Sequence, residues 1–448
     1  MMSWIKFLRP TGCSAHNECG GSWPASADFE QWASVLGNEH WSFKAVSPFL
    51  HAIEDAHGPT TEPHGRGGAV PTRAYEYDRL ASCQRAFFDA CVAAGYAANG
   101  NSPSGKVSLG RANIIGTTRW NAAFAFLDPI RQLSTLTIVD DAIVDRVLLD
   151  GRCATGVVYR MEDGTQHEAR ARCVVLCAGT FGSAAILMRS GIGPASHLRS
   201  LGIEVALHLP GVGQDLQEHP GCALAYAVDE KAINADVAAG RFFHWQAGLT
   251  TTGPSGSRLD VFPYQSQDRT GAWDTLLMVF LLDPSSRGNI ELASAAPEVN
   301  PRINPRYLSD PAARDASALA AGVHLLRRIA ATEPLRQILR EETAGSRNAK
   351  AEQEVEAYVR HNVIPFEHAV GTCRMGRLDD PCAVTTAEGV LAGVENIVVA
   401  DASVIPLIPP VPINLTSMMI GWRLAESALG IAGAERRRNR TRTPREQA

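Results

Sequence analysis

No stretch of eighteen or more apolar residues occurs in the 448-residue sequence, so we expect no membrane-spanning helix. The opening residues, MMSWIKFLRP, have neither the continuous apolar core nor the small-residue cleavage site of a signal peptide. The formal net charge of −5 provides no overall basic field, so nucleic acid is not an expected partner. With 45% apolar and 20% charged residues, the composition is typical of a globular protein with room for two or three domains.

Disulfide and zinc patterns are missing as well. The sequence has ten cysteines, but their spacing matches neither a disulfide scaffold nor paired CxxC zinc knuckles. We therefore expect reduced thiols in a cytoplasmic enzyme and assign no metal site.

Glycine-rich phosphate loops are incomplete. The sequence contains no GxGxxG motif and no P-loop. The two nearest stretches, GIGPAS (191–196) and GVGQDL (211–216), lack the third glycine and do not follow a strand directly. We interpret both as turns.

The patterning of the first half of the chain predicts a mixture of helices and strands. Residues 28–54 predict two short helices, and a helix with one apolar face follows over 78–94. Residues 136–178 hold β-rich runs, beginning with LTIV (136–139), and Asp-Gly pairs lie between them, which predicts a β-meander. The last run, CVVLCAG (173–179), is apolar enough for a strand buried on both faces.

The second half predicts an antiparallel sheet followed by a return to α/β character. Residues 221–310 alternate strand-like runs with turns, and GNIELAS (288–294) is expected to be one strand of that sheet. Asp310 is expected to cap the next helix, with the following proline at its first position. A strand over 396–403 and a helix over 415–429 complete the prediction.

Two residues are candidates for chemistry on their own residue types. His368 precedes the small residues AVGT, which let a ligand approach the backbone, and an ordinary histidine pKa of ~6.5 makes it a usable base. The alternative is a hydrogen-bonded core histidine. Asn414 precedes the last helix, where it would cap the N-terminus, and such a helix end can also stabilise an anion. The residues alone leave these alternatives open.

Six segments, in this order, resemble the glucose–methanol–choline (GMC) family of flavin oxidoreductases, and within it the choline-oxidase-like branch. The segments are TGCSAHNECGGSWPASADFEQWA (11–33), GSAAILMRSGIG (182–193), PGVGQDLQEHP (210–220), HAVGTCRMG (368–376), VADASVIP (399–406) and PINLTSMMIGWRLAE (412–426). The resemblance runs from about residue 11 to 430. It implies an α/β fold with an FAD-binding domain of the GMC type and a substrate domain in which helices flank an antiparallel sheet.

The resemblance also implies an activity and a set of site residues. The protein would oxidise the CH–OH group of an alcohol by hydride transfer to FAD, and dioxygen or another electron acceptor would reoxidise the flavin. His368 would act as the base, Asn414 as its partner at the substrate oxygen, and His16 as a site of covalent attachment of FAD. The other residues that would line FAD are Gly12, Ser14, Asn17, Val144, Ala178, Gly179, Asp401, Ala402, Leu415 and Thr416.

A division into domains follows from the same resemblance. The FAD-binding domain would comprise residues 1–34, 103–221 and 366–430, and the substrate domain residues 35–102 and 222–365. The basic residues at the end of the chain predict a disordered tail over 431–448. The sequence leaves the oligomeric state open.

The sequence departs from the family pattern in two important places. The family begins with a strand–GxGxxG–helix–strand unit, which takes roughly 30 residues, but only ten residues precede Thr11, so we expect an N-terminally truncated chain. Glu367 stands where the choline-oxidase branch has an aromatic ring, which removes one wall of a cation–π site. The alternative functions are therefore a truncated chain without cofactor or activity, and a hydroxynitrile-lyase-like family member.

Overall fold

The structure is a computed structural model that describes residues 12–58, 64–99, 105–267, 270–377 and 379–441. Residues 1–11, at the start of the predicted FAD-binding domain, and residues 442–448, at the end of the predicted tail, lie outside the described residues. Within the described part of the chain, no helix combines the length and the apolar character needed to cross a membrane.

The helices of the described residues are α1 (Ser26–Leu36), α2 (Phe43–Ile53), α3 (Ser82–Ala93), α4 (Gly179–Arg189), α5 (Ala195–Ser200), α6 (Glu230–Ala238), α7 (Arg314–Ala330), α8 (Leu335–Ile338), α9 (Ala344–Arg347), α10 (Glu352–His361) and α11 (Asn414–Thr441). The strands are β1 (Glu54–His57), β2 (Val70–Ala74), β3 (Ala97–Ala98), β4 (Lys106–Leu109), β5 (Arg111–Ala112), β6 (Ile114–Ile115), β7 (Thr118–Arg119), β8 (Ala142–Asp150), β9 (Cys153–Met161), β10 (Gln166–Arg170), β11 (Val174–Leu176), β12 (Ile192–Gly193), β13 (Leu207–His208), β14 (Pro220–Val228), β15 (Ala247–Thr252), β16 (Arg258–Gln267), β17 (Trp273–Leu281), β18 (Asn289–Glu291), β19 (Arg302–Asn304), β20 (Leu339–Glu342), β21 (Ile364–Pro365) and β22 (Ile397–Val399).

The largest sheet is the predicted antiparallel one. Its strand order is β20-β14-β17-β16-β15-β4-β3, with β21 also paired to β14, and only the short β3–β4 pair is parallel. Alternate residues of β16, such as Leu259 and Val261, are buried in a core shared with α3 and α7. The intervening residues Phe262 and Tyr264 lie on the other face of the sheet, where Phe262 stacks on Phe366. That face is where the candidate site lies.

The predicted β-meander is present, but its first and last runs were assigned wrongly. Strands β8, β9 and β10 form an antiparallel sheet, whereas residues 136–139 form no strand and Val139 is 49% exposed. The strand of CVVLCAG, β11, pairs instead with β22 in a parallel two-stranded sheet. Val175 is 43% exposed, because among the described residues no element covers that face of β11. The expectation of burial on both faces was therefore wrong.

Two elements of the middle region also differ from the prediction. Residues 289–291 pair with β19 in a separate two-stranded sheet rather than joining the large sheet. Helix α7 begins at Arg314 instead of directly after Asp310, because Ala313 adopts a left-handed conformation with φ 53°. The Asp310 carboxylate still caps the helix, since it accepts hydrogen bonds from the N–H groups of Arg314 (2.7 Å) and Asp315 (3.2 Å).

Two stretches cross the predicted domain boundaries. Strand β4 was assigned to the FAD-binding domain, but it pairs with β15 in the large sheet. Helix α2 was assigned to the substrate domain, but Val46 and Leu50 are buried in a second core with Leu187 of α4 and Met419 of α11. The spacing of the apolar residues in α2 predicted its helix but not the core against which it packs. The rest of the domain division stays a prediction.

The predicted disordered tail is helical over its described part. Helix α11 continues through residue 441, so residues 431–441 extend the predicted last helix. Alanine, glutamate and arginine are good helix formers, and this composition favours continuation of a helix that has already begun.

Candidate active site

The site is built around the carboxyl ends of β11 and β22. The two strands are parallel, so the residues that follow them meet at the same edge. The carboxylate of Asp401, after β22, accepts hydrogen bonds from the Gly179 N–H (2.9 Å) and the Ser183 O–H (2.5 Å) of α4. Burial raises the pKa of Asp401. The structure thus brings Ala178 and Gly179 together with Asp401 and Ala402, four of the predicted FAD residues.

Open space and unpartnered polar atoms occur where FAD is predicted to lie. Gly12 (φ 53°) and Gly179 (φ 74°) both have left-handed backbone conformations, and a Cβ added at either would meet no described protein atom within 4 Å. The buried Asn17 Oδ1 and Thr416 Oγ1 have no hydrogen-bond partner in the described part of the chain. The residues present therefore fit a cofactor that approaches the backbone closely and supplies donors and acceptors.

The predicted flavin loop lies against the C-terminal segment. Residues Gly12–Ala15 form a turn of 3-10 helix, and the Ser14 hydroxyl accepts a hydrogen bond from the Ala122 N–H (3.1 Å). A Cβ on Gly20 would lie 2.8 Å from the ring of Pro412, which shows how closely the loop approaches the segment before α11. His16 is partly buried in this loop.

Asn414 does not cap α11, contrary to the prediction. Ile413 accepts the first helical hydrogen bond through its C=O, so Asn414 is the first helical residue. Its side-chain amide instead donates to the Asn113 Oδ1 (3.2 Å) and, at a longer distance, to the Gly20 C=O (3.4 Å). Leu415 is fully buried beside it.

Val144, predicted to contact the adenine, lies in β8 next to a β-bulge. Its C=O accepts a hydrogen bond from the buried Arg189 side chain (3.1 Å). The adenine contact stays a prediction.

His368 is attached to the same helix that begins the cofactor region. The Thr180 hydroxyl of α4 donates to the C=O of Ala369 (2.6 Å), the residue after His368. The His368 ring lies 4.3 Å from the ring of Phe366, which in turn stacks on Phe280 at 3.9 Å between centroids. The aromatic face of the large sheet thus forms one wall beside the imidazole.

The patterning of the sequence did not reveal the partner of His368. The Nδ1 atoms of His368 and the fully buried His219 lie 3.1 Å apart. Burial lowers the pKa of His368 to about 3, and burial followed by the nearby His368 lowers the pKa of His219. The lowered pKa values favour neutral rings near pH 7, and at 3.1 Å the two Nδ1 atoms are close enough to share one hydrogen bond.

Glu218, the residue before His219, was also missed. Its Oε1 accepts hydrogen bonds from the backbone N–H groups of His219 and His368, both at 2.8 Å. Burial raises the pKa of Glu218 to about 8. The only signal in the sequence was the polar QEHP within an otherwise turn-like segment.

Two further carboxylates give the site a negative charge. Tyr264 lies on the face of the large sheet where the candidate site lies, and it donates a hydrogen bond to Glu18 Oε1 (3.0 Å). Burial raises the pKa of Tyr264, and the charges of Glu18 and Glu367 raise it further, so both carboxylates act on this phenol. Glu367 has a left-handed backbone with φ 68° and an exposed side chain.

Family models and curated relatives show which family the chain belongs to. Models described as GMC oxidoreductase match residues 12–221 and 284–421. Choline oxidase of Arthrobacter globiformis is 30% identical over 444 residues, covering 93% of this chain and 79% of that protein. The 5-(hydroxymethyl)furfural oxidase of Methylovorus sp. (strain MP688) is 31% identical over 438 residues, covering 90% of this chain and 78% of that protein.

A solved structure has the same fold. The crystal structure of pyridoxine 4-oxidase from Mesorbium loti superposes with a TM-score of 0.81 at 26% identity, covering 92% of this chain and 82% of that one. Fold, site and likenesses together define a flavin-dependent oxidoreductase of alcohols. The chain belongs to the GMC oxidoreductase family, which confirms the predicted family, fold class and cofactor, FAD.

The raised pKa of Glu218 predicts a pH-dependent stability. A glutamate with a pKa of about 8 in the folded protein and ~4.3 in the unfolded chain favours folding fully below ~4.3, and this contribution is lost as the pH rises through 8. Glu218→Gln has no such titration. We therefore compare the urea midpoint of the variant with that of the wild type at two pH values. We expect the difference, variant minus wild type, to be larger at pH 9 than at pH 5.

The control is Glu162→Gln, which removes an exposed carboxylate in the turn between β9 and β10. It should change the midpoint equally at both pH values. The titratable groups that face Glu218 are unchanged in the test variant, and they are His219, His368, Glu367 and Tyr307. A midpoint difference for Glu218→Gln that is independent of pH would contradict the assignment.

Proposed function

We propose that this protein oxidises the CH–OH group of a small alcohol, with His368 as the base and Asn414 as the residue that holds the substrate oxygen. The observation that carries the proposal is the 2.6 Å hydrogen bond from Thr180 to Ala369, which joins the segment of His368 to the helix that begins at Gly179. A base must be unprotonated at the working pH, and the lowered pKa of His368 supports that state. The hydrogen bond from Thr180 to Ala369 supports a position of His368 near the predicted FAD residues at the start of α4.

The proposed reaction removes one proton and one hydride from the alcohol. His368 takes the proton of the alcohol O–H. The hydride leaves the carbon that bears this hydroxyl group, which gives a carbonyl product. Bound FAD supplies the two-electron acceptor for that hydride. The names of the relatives, which are oxidases, favour dioxygen over another acceptor for reoxidation.

Asn414 is suited to hold the oxygen because one of its hydrogen bonds is weak. The bond to the Asn113 side chain is 3.2 Å, whereas the one to Gly20 is 3.4 Å. We propose that the substrate oxygen replaces Gly20 as acceptor, while Asn113 keeps the amide oriented. The partial positive charge at the start of α11 adds to the stabilisation of negative charge on that oxygen.

The residues predicted to line FAD keep those roles in the proposal. His16 remains the proposed site of covalent attachment, on the loop that also carries Asn17 and its unpartnered buried oxygen.

The charge of the site favours an alcohol that carries a positive charge or several hydrogen-bond donors. Glu18 and Glu367 both act on Tyr264, and in the described part of the chain neither forms an ion pair with a basic side chain. Uncompensated carboxylates beside aromatic rings attract cations and donors. We propose that Glu18 selects such substrates.

Replacement of His368 tests the proposed base. We expect His368→Ala to bind FAD but to lose alcohol-dependent bleaching of the flavin absorbance by a factor of roughly 100 or more. His361→Ala, which removes an exposed histidine of α10, should bleach at the wild-type rate. Equal rates of anaerobic flavin reduction in His368→Ala and the wild type would refute the assignment.

Replacement of Glu18 tests the proposed substrate charge. Glu18→Gln keeps the hydrogen bond from Tyr264 but removes the negative charge. We expect flavin reduction by an amino alcohol to weaken by roughly tenfold in kcat/KM, while reduction by a neutral alcohol of similar size changes little. A parallel change for both alcohols would show that the carboxylate does not select charge.

A further inference from the structure

We propose that Glu218 and His219 are positioning residues that fix both the place and the tautomer of His368. The inference rests on the proposed function, because it concerns how the base is held ready. Neither residue belongs to the predicted site, and both lie on the segment that meets the segment of His368.

These two segments form an interrupted antiparallel pair. On one side of the interruption, Gln217 and Val370 exchange backbone hydrogen bonds of 3.0 and 2.9 Å. On the other side, the Phe366 N–H donates to the His219 C=O (3.1 Å) and β21 pairs with β14. Glu218 therefore stands opposite three residues, 367–369. Two extra residues on one strand make a bulge. A bulge changes the direction of a side chain and leaves backbone groups without a hydrogen-bond partner on the facing strand.

The side chain of Glu218 replaces the missing ladder partner. Its Oε1 accepts the N–H groups of His219 and His368, both at 2.8 Å. Glu367 has φ 68°, a conformation that costs energy for a residue with a Cβ. The two hydrogen bonds hold the bulge in that shape, so they also hold the backbone from which the His368 ring projects.

The hydrogen bonds of Glu218 Oε1 set the distance between the two imidazoles. With their backbones joined through one oxygen atom, the Nδ1 atoms of His219 and His368 lie 3.1 Å apart and their rings are at 86°. Only one of the two nitrogens can carry the proton between them. The tautomer of His219 therefore determines the tautomer of His368.

The surroundings of His219 indicate which nitrogen carries that proton. His219 Nδ1 faces His368 at 3.1 Å, so its Nε2, which forms no hydrogen bond within the described residues, is the nitrogen left for another acceptor. The backbone of Leu282 acts on this ring as an acceptor and raises its pKa, against the larger lowering by burial and by His368. An acceptor there favours a proton on His219 Nε2 and a lone pair on its Nδ1. His368 then donates from Nδ1, and its Nε2 keeps the lone pair that a base needs.

The neutral state of Glu218 supports the same arrangement. Burial raises its pKa to about 8, and its Oε2 has no hydrogen-bond partner among the described residues. A protonated carboxyl keeps Oε1 as an acceptor for the backbone without placing a full charge beside the histidine pair. Glutamine has the same shape and the same acceptor, which makes it a conservative replacement.

The test is the protonation state of the ring nitrogens in the FAD-loaded full chain. Two-bond ¹H–¹⁵N correlation spectra distinguish Nδ1–H from Nε2–H histidines, and the His368 signals are assigned by their loss in His368→Ala. We expect the wild type to carry the His368 proton on Nδ1. Glu218→Gln and His219→Asn retain the acceptors and should keep that tautomer, whereas Glu218→Ala and His219→Ala should shift it towards Nε2–H.

Anaerobic flavin reduction by an alcohol provides the second readout. We expect the two alanine variants to lose kcat by about tenfold or more with KM changed by less than about twofold, and the conservative variants to recover most of it. A wild-type His368 protonated on Nε2, or alanine variants with unchanged tautomer and kcat, would overturn the inference. If an alanine variant does not fold, the wild type and the conservative variants still decide the tautomer.

The spectra need no turnover, so the two proposals fail separately. If no alcohol bleaches the flavin while His368 shows the expected tautomer, the proposed function fails and the positioning role stands. If alcohols bleach the flavin in a way that depends on His368 but its proton lies on Nε2, only the positioning role fails.

Discussion

The architecture of the site depends on the buried carboxylate of Asp401. It joins the end of β22 to the start of α4 through the Gly179 N–H and the Ser183 hydroxyl. From this junction α4 extends one way, and Thr180 in its first turn holds the segment of His368. The chain after β22 leads the other way to α11 and Asn414. Because both proposed catalytic residues are placed from one junction, their positions relative to the cofactor region are set together.

The second constraint is that the proposed base is a partly buried ring next to fully buried polar groups such as His219. Burial alone keeps His368 neutral, but a buried polar ring must also have a hydrogen-bond partner and a fixed orientation. A regular strand pair would not provide these, since its backbone groups bond to one another. The bulge at 367–369 frees backbone N–H groups, and Glu218 satisfies them from the facing segment. The irregular backbone thus places polar groups next to Val370, a fully buried residue of the core.

Sequence patterns predicted the elements whose cause is local. Asp-Gly turns predicted the meander, and apolar spacing predicted α2, α3 and α7. The family motifs, in their order, pointed to His368 and Asn414 as site residues. The features that were missed depend on distant contacts. His219 contacts His368, which lies 149 residues later in the sequence. The exposure of Val175 depends on which elements surround β11. The apolar spacing of α2 does not indicate against which core the helix packs. The start of α7 was missed by three residues because Ala313 takes a left-handed conformation that alanine rarely adopts.

The central claim, that FAD lies against the Asp401 junction, is tested most directly by titrating the purified chain with FAD and following flavin fluorescence. Gly179→Ala would place a methyl group in the open space of the junction, whereas Gly151→Ala adds the same group at an equally open left-handed glycine in the turn between β8 and β9. We expect saturable binding to the wild type and to Gly151→Ala, and binding to Gly179→Ala weakened by roughly tenfold or more. No binding to the wild type, or equal affinities for the two variants, would contradict it.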